Sequence, residues 1–374
     1  MASSPPRPPD RPGAPDPVDV AQALSKRLIG QREAIREMSV ALSKYLAGLP
    51  TGNILMVGSS GTGKTTLMRA VETYLESDPV LADRSTVVRL HANVLGEEAE
   101  RGGAGQAVLS RLLAGARQKL GADAPVEQVL RRMGKGLVFV DEVDKIRAHV
   151  GGAAHTAGIR AQEALLTLIE NEAVPFELPA WAGGGRVTVD SSHVLFVCAG
   201  AFEGLYDAVF DRVTIGRDRG HLQSVTSLTD GDVSERLDFH LRDWLEVEDL
   251  FDYGLSPQFL SRFDAVVLLE DLTEDHLVRI FLDSPDSAYH QSKAYFESRG
   301  VPLALSPAAV RRIAREAALQ PRLGARSLKE VFRRVIREYE FEPERQARGG
   351  VLMIDVPEVE RALAPESVPE RTSE

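Results

Sequence analysis

The feature that most constrains this chain is a glycine-rich stretch at residues 58–65, which reads Gly-Ser-Ser-Gly-Thr-Gly-Lys-Thr. It fits the pattern G-x-x-x-x-G-K-[ST], which describes a P-loop only where a strand precedes it and a helix follows it. The apolar run 53–57 and the helical pattern over 66–76 supply both. In that setting the glycines let backbone N–H groups curl around phosphate oxygens, and the helix N-terminus adds free donors and a favourable dipole. The sequence therefore predicts a nucleotide site on an α/β fold, with ATP as its ligand.

Each residue type in this stretch has a chemical reason. The Lys64 ammonium would reach the β- and γ-phosphates, and the Thr65 hydroxyl would bind Mg²⁺. ATP and Mg²⁺ are therefore the expected cofactors. The residues expected to touch the nucleotide here are Gly58, Ser59, Ser60, Gly61, Thr62, Gly63, Lys64, Thr65 and Thr66.

A second apolar run, residues 137–140, ends in the acidic pair Asp141-Glu142. Open parallel sheets place ligands at the carboxyl ends of their strands, so this pair is expected beside the phosphates. Asp141 would bind Mg²⁺ or lie in its outer shell, and Glu142 would orient and polarise the attacking water. An Asp-Glu pair after a strand is often only a polar turn, but behind a P-loop it indicates a catalytic pair. The presence of Glu142 favours hydrolysis over nucleotide binding alone.

Short apolar runs alternate with helical patterns, which predicts a five-stranded parallel sheet covered on both faces. The runs are residues 53–57, 86–90, 137–140, 194–198 and 265–269. The polar stretch 212–235 is expected to be a long loop, and after about residue 271 the pattern is helical except for a short strand at 351–356. We expect a disordered proline-rich tail at 1–17, a large α/β domain at 18–270, a small helical domain at 271–363 and a second disordered tail at 364–374.

Composition argues against several classes of function. The formal net charge of −11 disfavours a surface for nucleic acid, which needs clustered lysine and arginine. The single cysteine, Cys198, rules out a disulfide framework and a cysteine zinc site, and its apolar neighbours predict a buried core thiol. No apolar run approaches the roughly 20 residues of a membrane span, so a cytoplasmic location without a membrane partner is the default expectation.

Several stretches together resemble one family. The P-loop and the strand before Asp141-Glu142 are similar to those of AAA+ ATPases, and further segments resemble the ClpX/HslU branch, in the family's order, over residues 18–363. These segments are residues 27–31 (RLIGQ), 141–146 (DEVDKI), 163–170 (EALLTLIE), 194–202 (VLFVCAGAF), 254–263 (GLSPQFLSRF) and 324–328 (GARSL). The resemblance implies an AAA+ P-loop NTPase fold with a small helical lid domain.

The resemblance also implies roles for residues outside the P-loop. Ile29 would contact adenine. Arg262 would be an arginine finger that enters the neighbouring subunit's site, and Arg326 would touch the phosphates from the small domain. The implied catalytic residues are therefore Glu142, Lys64, Arg262 and Arg326. A finger that acts in trans implies a homo-oligomeric ring, which is a hexamer in the family.

Three departures from the family concern what such a motor acts on. The four-cysteine zinc domain of ClpX cannot form with one cysteine. The stretch at the place of the aromatic pore loop, residues 96–105, has no aromatic or large aliphatic residue, so its grip on polypeptide should be weak. Trp181 could substitute for that grip, although a tryptophan beside glycines more often packs on its own domain. In the peptidase-docking loop, Thr214-Ile215-Gly216-Arg217 has arginine where the family has an apolar residue, and burying that charge unpaired is costly. Docking of the Clp peptidase in the usual mode is therefore not expected.

The leading hypothesis is a ClpX-like AAA+ ATPase that hydrolyses ATP in a ring and remodels or unfolds protein partners without the peptidase. Two alternatives stay open. One is a protease-associated ClpX-type unfoldase, and the other is a nucleotide-gated assembly or scaffold module that switches without threading polypeptide. A nucleic-acid motor or loader fits less well, because the chain is acidic and lacks a basic-aromatic stripe.

Overall fold

The computed structural model describes residues 14–100, 105–170, 173–215, 224–229, 232–237, 239–346 and 350–364. The chain forms two compact units that alternate along the sequence. The larger takes in the described residues up to Lys26 together with Arg32–Gly58 and Lys64–Leu269. The smaller takes in Arg27–Gln31, Ser59–Gly63 and the described residues from Glu270 onward. Of the two expected tails, residues 1–13 and 365–374 lie outside the described residues.

Strands and helices alternate through the first two thirds of the chain. The strands are β1 (Asn53–Val57), β2 (Thr86–His91), β3 (Gly136–Asp141), β4 (His149–Val150), β5 (Ala153–Ala154), β6 (Val174–Glu177), β7 (Arg186–Val189), β8 (Leu195–Gly200), β9 (Ser224–Thr229), β10 (Asp232–Leu237), β11 (Phe263–Leu268), β12 (Leu303–Leu305) and β13 (Leu352–Ile354). The helices are α1 (Pro17–Ser25), α2 (Arg32–Leu46), α3 (Lys64–Glu76), α4 (Pro79–Arg84), α5 (Asn93–Glu100), α6 (Gln106–Leu120), α7 (Val126–Met133), α8 (Thr156–Glu170), α9 (Leu205–Thr214), α10 (Leu241–Trp244), α11 (Val247–Tyr253), α12 (Pro257–Leu260), α13 (Glu274–Asp283), α14 (Ala288–Ser298), α15 (Pro307–Ala318), α16 (Ala325–Phe341), α17 (Pro343–Gln346) and α18 (Val356–Leu363).

The larger unit is built on a five-stranded sheet in the order β11-β1-β8-β3-β2, with every neighbouring pair parallel. Its central strand β8 is buried along its whole length, and β1 and β3 nearly so. Strands buried on both faces read as continuous apolar runs, which explains why the sequence revealed them. The predicted five-stranded parallel sheet is confirmed, and each strand end differs from the prediction by at most two residues.

Cys198 lies within β8 and has no exposed surface. Burial raises the pKa of its thiol, so the thiolate is disfavoured. The prediction of a buried core cysteine is confirmed.

The long loop expected over residues 212–235 is wrong at both ends. Helix α9 continues to Thr214 because Leu205, Val209 and Val213 recur four residues apart and are all buried. Strands β9 and β10 then pair antiparallel, with Thr229 opposite Asp232. Their β-branched content was an available signal for a hairpin.

The stretch expected to be a loop at residues 96–105 is helical in its first half, since α5 runs to Glu100. Leu95 is fully buried, and Gly96 lies against α8, where an added Cβ would be 3.5 Å from the Ala157 carbonyl oxygen. The apolar contact and the helix-forming residues of this segment outweigh the single glycine. Residues 101–104 lie outside the described residues.

Trp181 packs on its own unit. It lies in a short 3-10 turn, Ala180–Ala182, between β6 and β7, and its ring is 40% exposed. The Arg117 guanidinium carbon lies 3.8 Å from the ring centroid, a cation–π contact.

The smaller unit has a helical core made by α13–α16 and α18, with β12 parallel to β13. The strand expected at 351–356 is shorter, because Val356 begins α18. Asp355 caps that helix and accepts a hydrogen bond from the Val356 N–H, while Glu358 bonds back to the Asp355 N–H. Strand β12 was not predicted from sequence. Among the described residues, no helix is long and apolar enough to cross a membrane.

Candidate nucleotide-binding site

In the larger unit, the residues at the end of β1 and the start of α3 meet the end of β3. The Gly58 N–H donates to the Gly200 carbonyl at 3.4 Å, which fixes the exit of β1 against β8. Lys64 is buried, and its ammonium donates to the Gly58 carbonyl at the end of β1. Thr65 and Thr66 follow on the first turn of α3 and are exposed.

The Thr65 hydroxyl donates to Asp141 Oδ2 at 3.4 Å. Hydroxyl and carboxylate oxygens are the hard ligands that Mg²⁺ prefers. The pair Thr65 and Asp141 therefore fits the metal that the sequence predicts.

Glu142 follows Asp141 in an unusual backbone conformation. Its φ of +61° lies in the left-handed region, which non-glycine residues rarely adopt and which is often found at functional sites. Its N–H donates to Asp141 Oδ1 at 2.9 Å. This turn re-aims the carboxylate, which is half exposed and lies 3.6 Å from His91 Nδ1 at the end of β2. The structure thus brings Lys64, Thr65, Asp141 and Glu142 to the carboxyl edge of the sheet.

The middle of the P-loop, Ser59–Gly63, belongs to the smaller unit. Gly61 has φ +76° and Gly63 has φ +110°, so both use the conformational freedom that glycine provides. The Ala325 N–H donates to the Gly61 carbonyl at 3.1 Å. A Cβ on Gly61 would lie 2.2 Å from the Leu323 carbonyl oxygen and 3.1 Å from the Arg326 backbone nitrogen. Glycine is therefore required there by close backbone packing as well as by φ.

Gln31 holds this part of the loop and was missed as a site residue by sequence reasoning. Its buried side-chain amide donates to the Thr62 carbonyl at 3.0 Å and to the Glu270 carbonyl at 2.8 Å. Its Oε1 accepts from the Glu270 N–H at 2.9 Å. Its neighbour Ile29 is 9% exposed, and Leu28 packs on Gly63, where a Cβ would be 2.5 Å from Leu28 Cδ1.

Two further hydrogen bonds hold the loop residues Ser59 and Thr62 within the smaller unit. The Ser59 hydroxyl donates to Asp271 at 3.4 Å, and the Thr62 hydroxyl donates to the Ser59 carbonyl at 2.8 Å. Arg326, in the first turn of α16, is exposed, and its side chain has no ion pair among the described residues. A cation in the first helical turn opposes the helix dipole, so this position is unfavourable unless an anion comes near.

Arg262 lies at the opposite edge of the sheet from Lys64. It immediately precedes β11, whose first residue Phe263 pairs with Asn53 at the start of β1. The five residues of β1 separate that end from the P-loop by roughly 16 Å at the usual rise per residue. Arg262 is exposed, and its Nε donates to the Glu170 carboxylate. Its position is thus unsuited to its own subunit's phosphate site.

Two buried polar side chains, also missed from sequence, link the segments around the acidic pair. Asp144 accepts a hydrogen bond from the Ala201 N–H at 3.1 Å, which ties the exit of β3 to the exit of β8. Gln162 donates to the carbonyls of Ile146 and Gly254 at 2.7 and 2.9 Å. Its Oε1 accepts from the Ser256 N–H at 2.9 Å. Glutamine inside an apolar helix pattern was the available signal, because a buried amide needs partners.

A parallel sheet with a P-loop after one strand and an acidic pair after another defines a P-loop nucleotide-binding protein. A family model described as "AAA domain (Cdc48 subfamily)" matches residues 49–266, which is more than half of the chain. The chain belongs to the AAA+ ATPase family and is ClpX-like within it.

The relatives that support this assignment are ClpX subunits. "ATP-dependent Clp protease ATP-binding subunit ClpX 3" of Methylococcus capsulatus is 32% identical over 88% of this chain and 76% of its own length. ClpX of Treponema denticola is 28% identical over 90% of this chain and 79% of its own. ClpX of Azotobacter vinelandii is 29% identical over 87% and 73%, respectively.

Proposed function

We propose that this chain hydrolyses ATP and uses the hydrolysis to remodel or unfold protein partners. One observation carries the proposal: the Thr65 hydroxyl lies 3.4 Å from Asp141 Oδ2, and Glu142 follows Asp141 in a left-handed backbone conformation. The relatives are ATP-binding subunits of an ATP-dependent Clp protease, which supports a protein as the partner.

The proposed chemistry assigns one task to each side chain. Lys64 and the loop N–H groups hold the phosphates, while Ile29 contacts adenine. Thr65 and Asp141 hold Mg²⁺, which when bound neutralises charge on the β- and γ-phosphates. Glu142 orients the attacking water and takes up its proton.

A complete site requires an arginine from a second copy of the chain. Arg262 lies at the amino edge of the sheet, roughly a strand's length from Lys64, so it would serve a neighbour's γ-phosphate. A finger in trans requires each subunit to face the next head to tail, which generates a ring where the rotation between subunits closes. We propose a hexameric ring, with Arg326 as the second cation at each site.

The proposal does not include the usual peptidase docking. Ile215 is 73% exposed, while Gly216 and Arg217 of the docking loop lie outside the described residues. The charge of Arg217 would be costly to bury in an apolar pocket. The alternative is a protease-associated unfoldase, which the relatives' names favour. Degradation of a tagged substrate with the host Clp peptidase separates the two, because processive degradation would exclude the version without a peptidase.

The Glu142→Gln variant tests hydrolysis directly. Because the amide keeps the shape but cannot take up a proton, we expect ATP binding to persist and turnover to fall by roughly a hundredfold or more. The measurement is steady-state phosphate release beside ATP affinity, with Glu163→Gln on the exposed face of α8 as the matched control. Wild-type turnover in Glu142→Gln would disprove the role of this residue.

A further inference from the structure

A cavity lies at the amino edge of the larger unit's sheet. Its volume is about 590 Å³, within the roughly 300–1,000 Å³ usual for small-molecule sites. Its walls include the segments that lead into four strands: Leu49 before β1, Arg84 before β2, Lys135 before β3 and Val194 before β8. Because the strands are parallel, this amino-edge cavity lies at the other edge of the sheet from Lys64 and Asp141. It shares its edge with Arg262, which is not among its described lining residues.

The lining of the amino-edge cavity is basic, although the protein is acidic. Arg84, Arg131, Arg132 and Lys135 line it, and Asp83 is the one carboxylate among its described lining residues. The whole chain has 55 acidic against 44 basic side chains. Asp83 is already paired, since Arg132 Nη1 lies 3.0 Å from its Oδ1. The cavity therefore has an excess of positive charge that its own carboxylate does not cancel.

Arg132 is held in place by hydrogen bonds, whereas Arg131 and Lys135 are exposed and could contact a ligand. The Arg132 side chain is 10% exposed; its Nε donates to Thr86 Oγ1 at 3.2 Å and its Nη2 donates to the Ala82 carbonyl at 2.9 Å. Arg131 and Lys135 are exposed, and neither side chain has an ion pair within the described part of the chain. A preorganised buried charge with two adaptable cations beside it is suited to holding an anion.

The remaining walls combine apolar and neutral polar side chains. The Tyr45 hydroxyl donates to the Lys135 carbonyl, and burial raises the pKa of this phenol, so it stays a donor. Gly134 is packed so closely that a Cβ would lie 2.8 Å from the Asp190 carbonyl oxygen, which fixes the turn between α7 and β3. Leu49 is 41% exposed and supplies apolar surface, whereas Leu46 and Leu195 are buried beneath the wall. A ligand could therefore place a flat apolar part against this surface and an anionic group near the cations.

We infer that the amino-edge cavity binds a small organic anion, a molecule with a phosphate beside a flat apolar body. Arg131 and Lys135 hold the phosphate by charge-assisted hydrogen bonds, and the exposed Leu49 side chain contacts the body. A favourable interaction with the helix dipole would explain why Arg131 and Arg132 lie in the last turn of α7. It does not explain Lys135, which follows that helix, or the presence of a cavity.

The test is titration calorimetry of the full chain with 1-naphthyl phosphate in saturating ADP, which occupies the P-loop. We expect binding by the wild type, and at least tenfold weaker binding of 1-naphthol and of inorganic phosphate. The double variant Arg131→Gln/Lys135→Gln should weaken 1-naphthyl phosphate binding at least tenfold. The matched control Arg279→Gln/Lys293→Gln removes two exposed cations from the smaller unit and should bind as the wild type does.

Each contrary result overturns the inference in a different way. Binding that disappears when ADP is added would assign the probe to the P-loop. Equal affinity in the double variant and its control would show that the cavity cations do not hold the anion. Equal affinity for 1-naphthol would remove the anion from the recognition, and equal affinity for inorganic phosphate would remove the apolar body.

Discussion

The two edges of the central sheet carry different chemistry. The carboxyl edge carries Lys64 after β1 and the carboxylates Asp141 and Glu142 at the end of β3. At the amino edge, cations predominate, with Arg262 before β11 and the amino-edge cavity beside β3 and β8. Strands of five or six residues separate the edges by roughly 16–20 Å. The amino-edge cations are therefore too far from their own subunit's phosphate site to contact it.

The largest effect is expected for Arg262→Ala. If Arg262 stabilises charge on a neighbour's γ-phosphate, turnover should fall by roughly a thousandfold, while ATP affinity should change little. Phosphate release and nucleotide titration measure the two quantities. Arg160→Ala, which removes an exposed arginine from α8, is the control and should leave turnover unchanged.

Mixed assemblies decide whether this arginine acts in trans. Arg262→Ala and Glu142→Gln subunits should each be inactive alone. In a mixture, an Arg262→Ala site can receive the intact finger of a Glu142→Gln neighbour, so turnover should reappear. A mixture that stays inactive would argue that both residues serve one subunit's site, which contradicts the separation of the two edges.

The second prediction concerns the carboxyl edge. Lys64→Ala removes the buried ammonium from the loop, and the lost charge-assisted bonds to phosphate should weaken ATP binding by roughly a hundredfold. Titration with a slowly hydrolysed ATP analogue measures this, with the exposed lysine variant Lys293→Ala as control. Unchanged ATP affinity in Lys64→Ala would refute the P-loop assignment.

The carboxyl edge could be predicted closely from sequence because its chemistry is local. Residues 58–65 are contiguous, and Asp141 and Glu142 directly follow an apolar run that only a buried strand explains. By contrast, Arg262 is an isolated arginine, and only the resemblance to ClpX suggested a role for it. Its position at the amino edge depends on the pairing of β11 with β1, which joins residues some 210 positions apart.

The remaining site residues were missed for the same physical reason. Gln31 bonds to Thr62 and Glu270, and Gln162 bonds to Ile146 and Gly254, over separations of 16 to 239 residues. The sequence neighbours of a glutamine give no sign of which distant carbonyls its amide will meet. The resemblance also misled at residues 96–100, where a loop was expected and α5 continues, with the Leu95 side chain fully buried.

The third and smallest effect is expected at Gln162, which connects the segment after the acidic pair to the segment before Arg262. Its amide bonds Ile146, a few residues after the acidic pair, and it also bonds Gly254 and Ser256, which lead into α12 and Arg262. Gln162→Met keeps the volume but leaves buried carbonyls and an N–H without a partner, which should lower the free energy of unfolding by about 1–3 kcal/mol.

If this link also positions the finger, Gln162→Met should lower turnover by roughly tenfold while the subunit's own ATP affinity is retained. Glu163→Met, on the exposed side of the same helix, is the matched control and should change neither quantity. Adding Gln162→Met subunits to Glu142→Gln subunits separates the two roles: turnover should recover if only the finger is displaced. Failure to recover would place the effect of Gln162 on the acidic pair at the carboxyl edge instead of on Arg262.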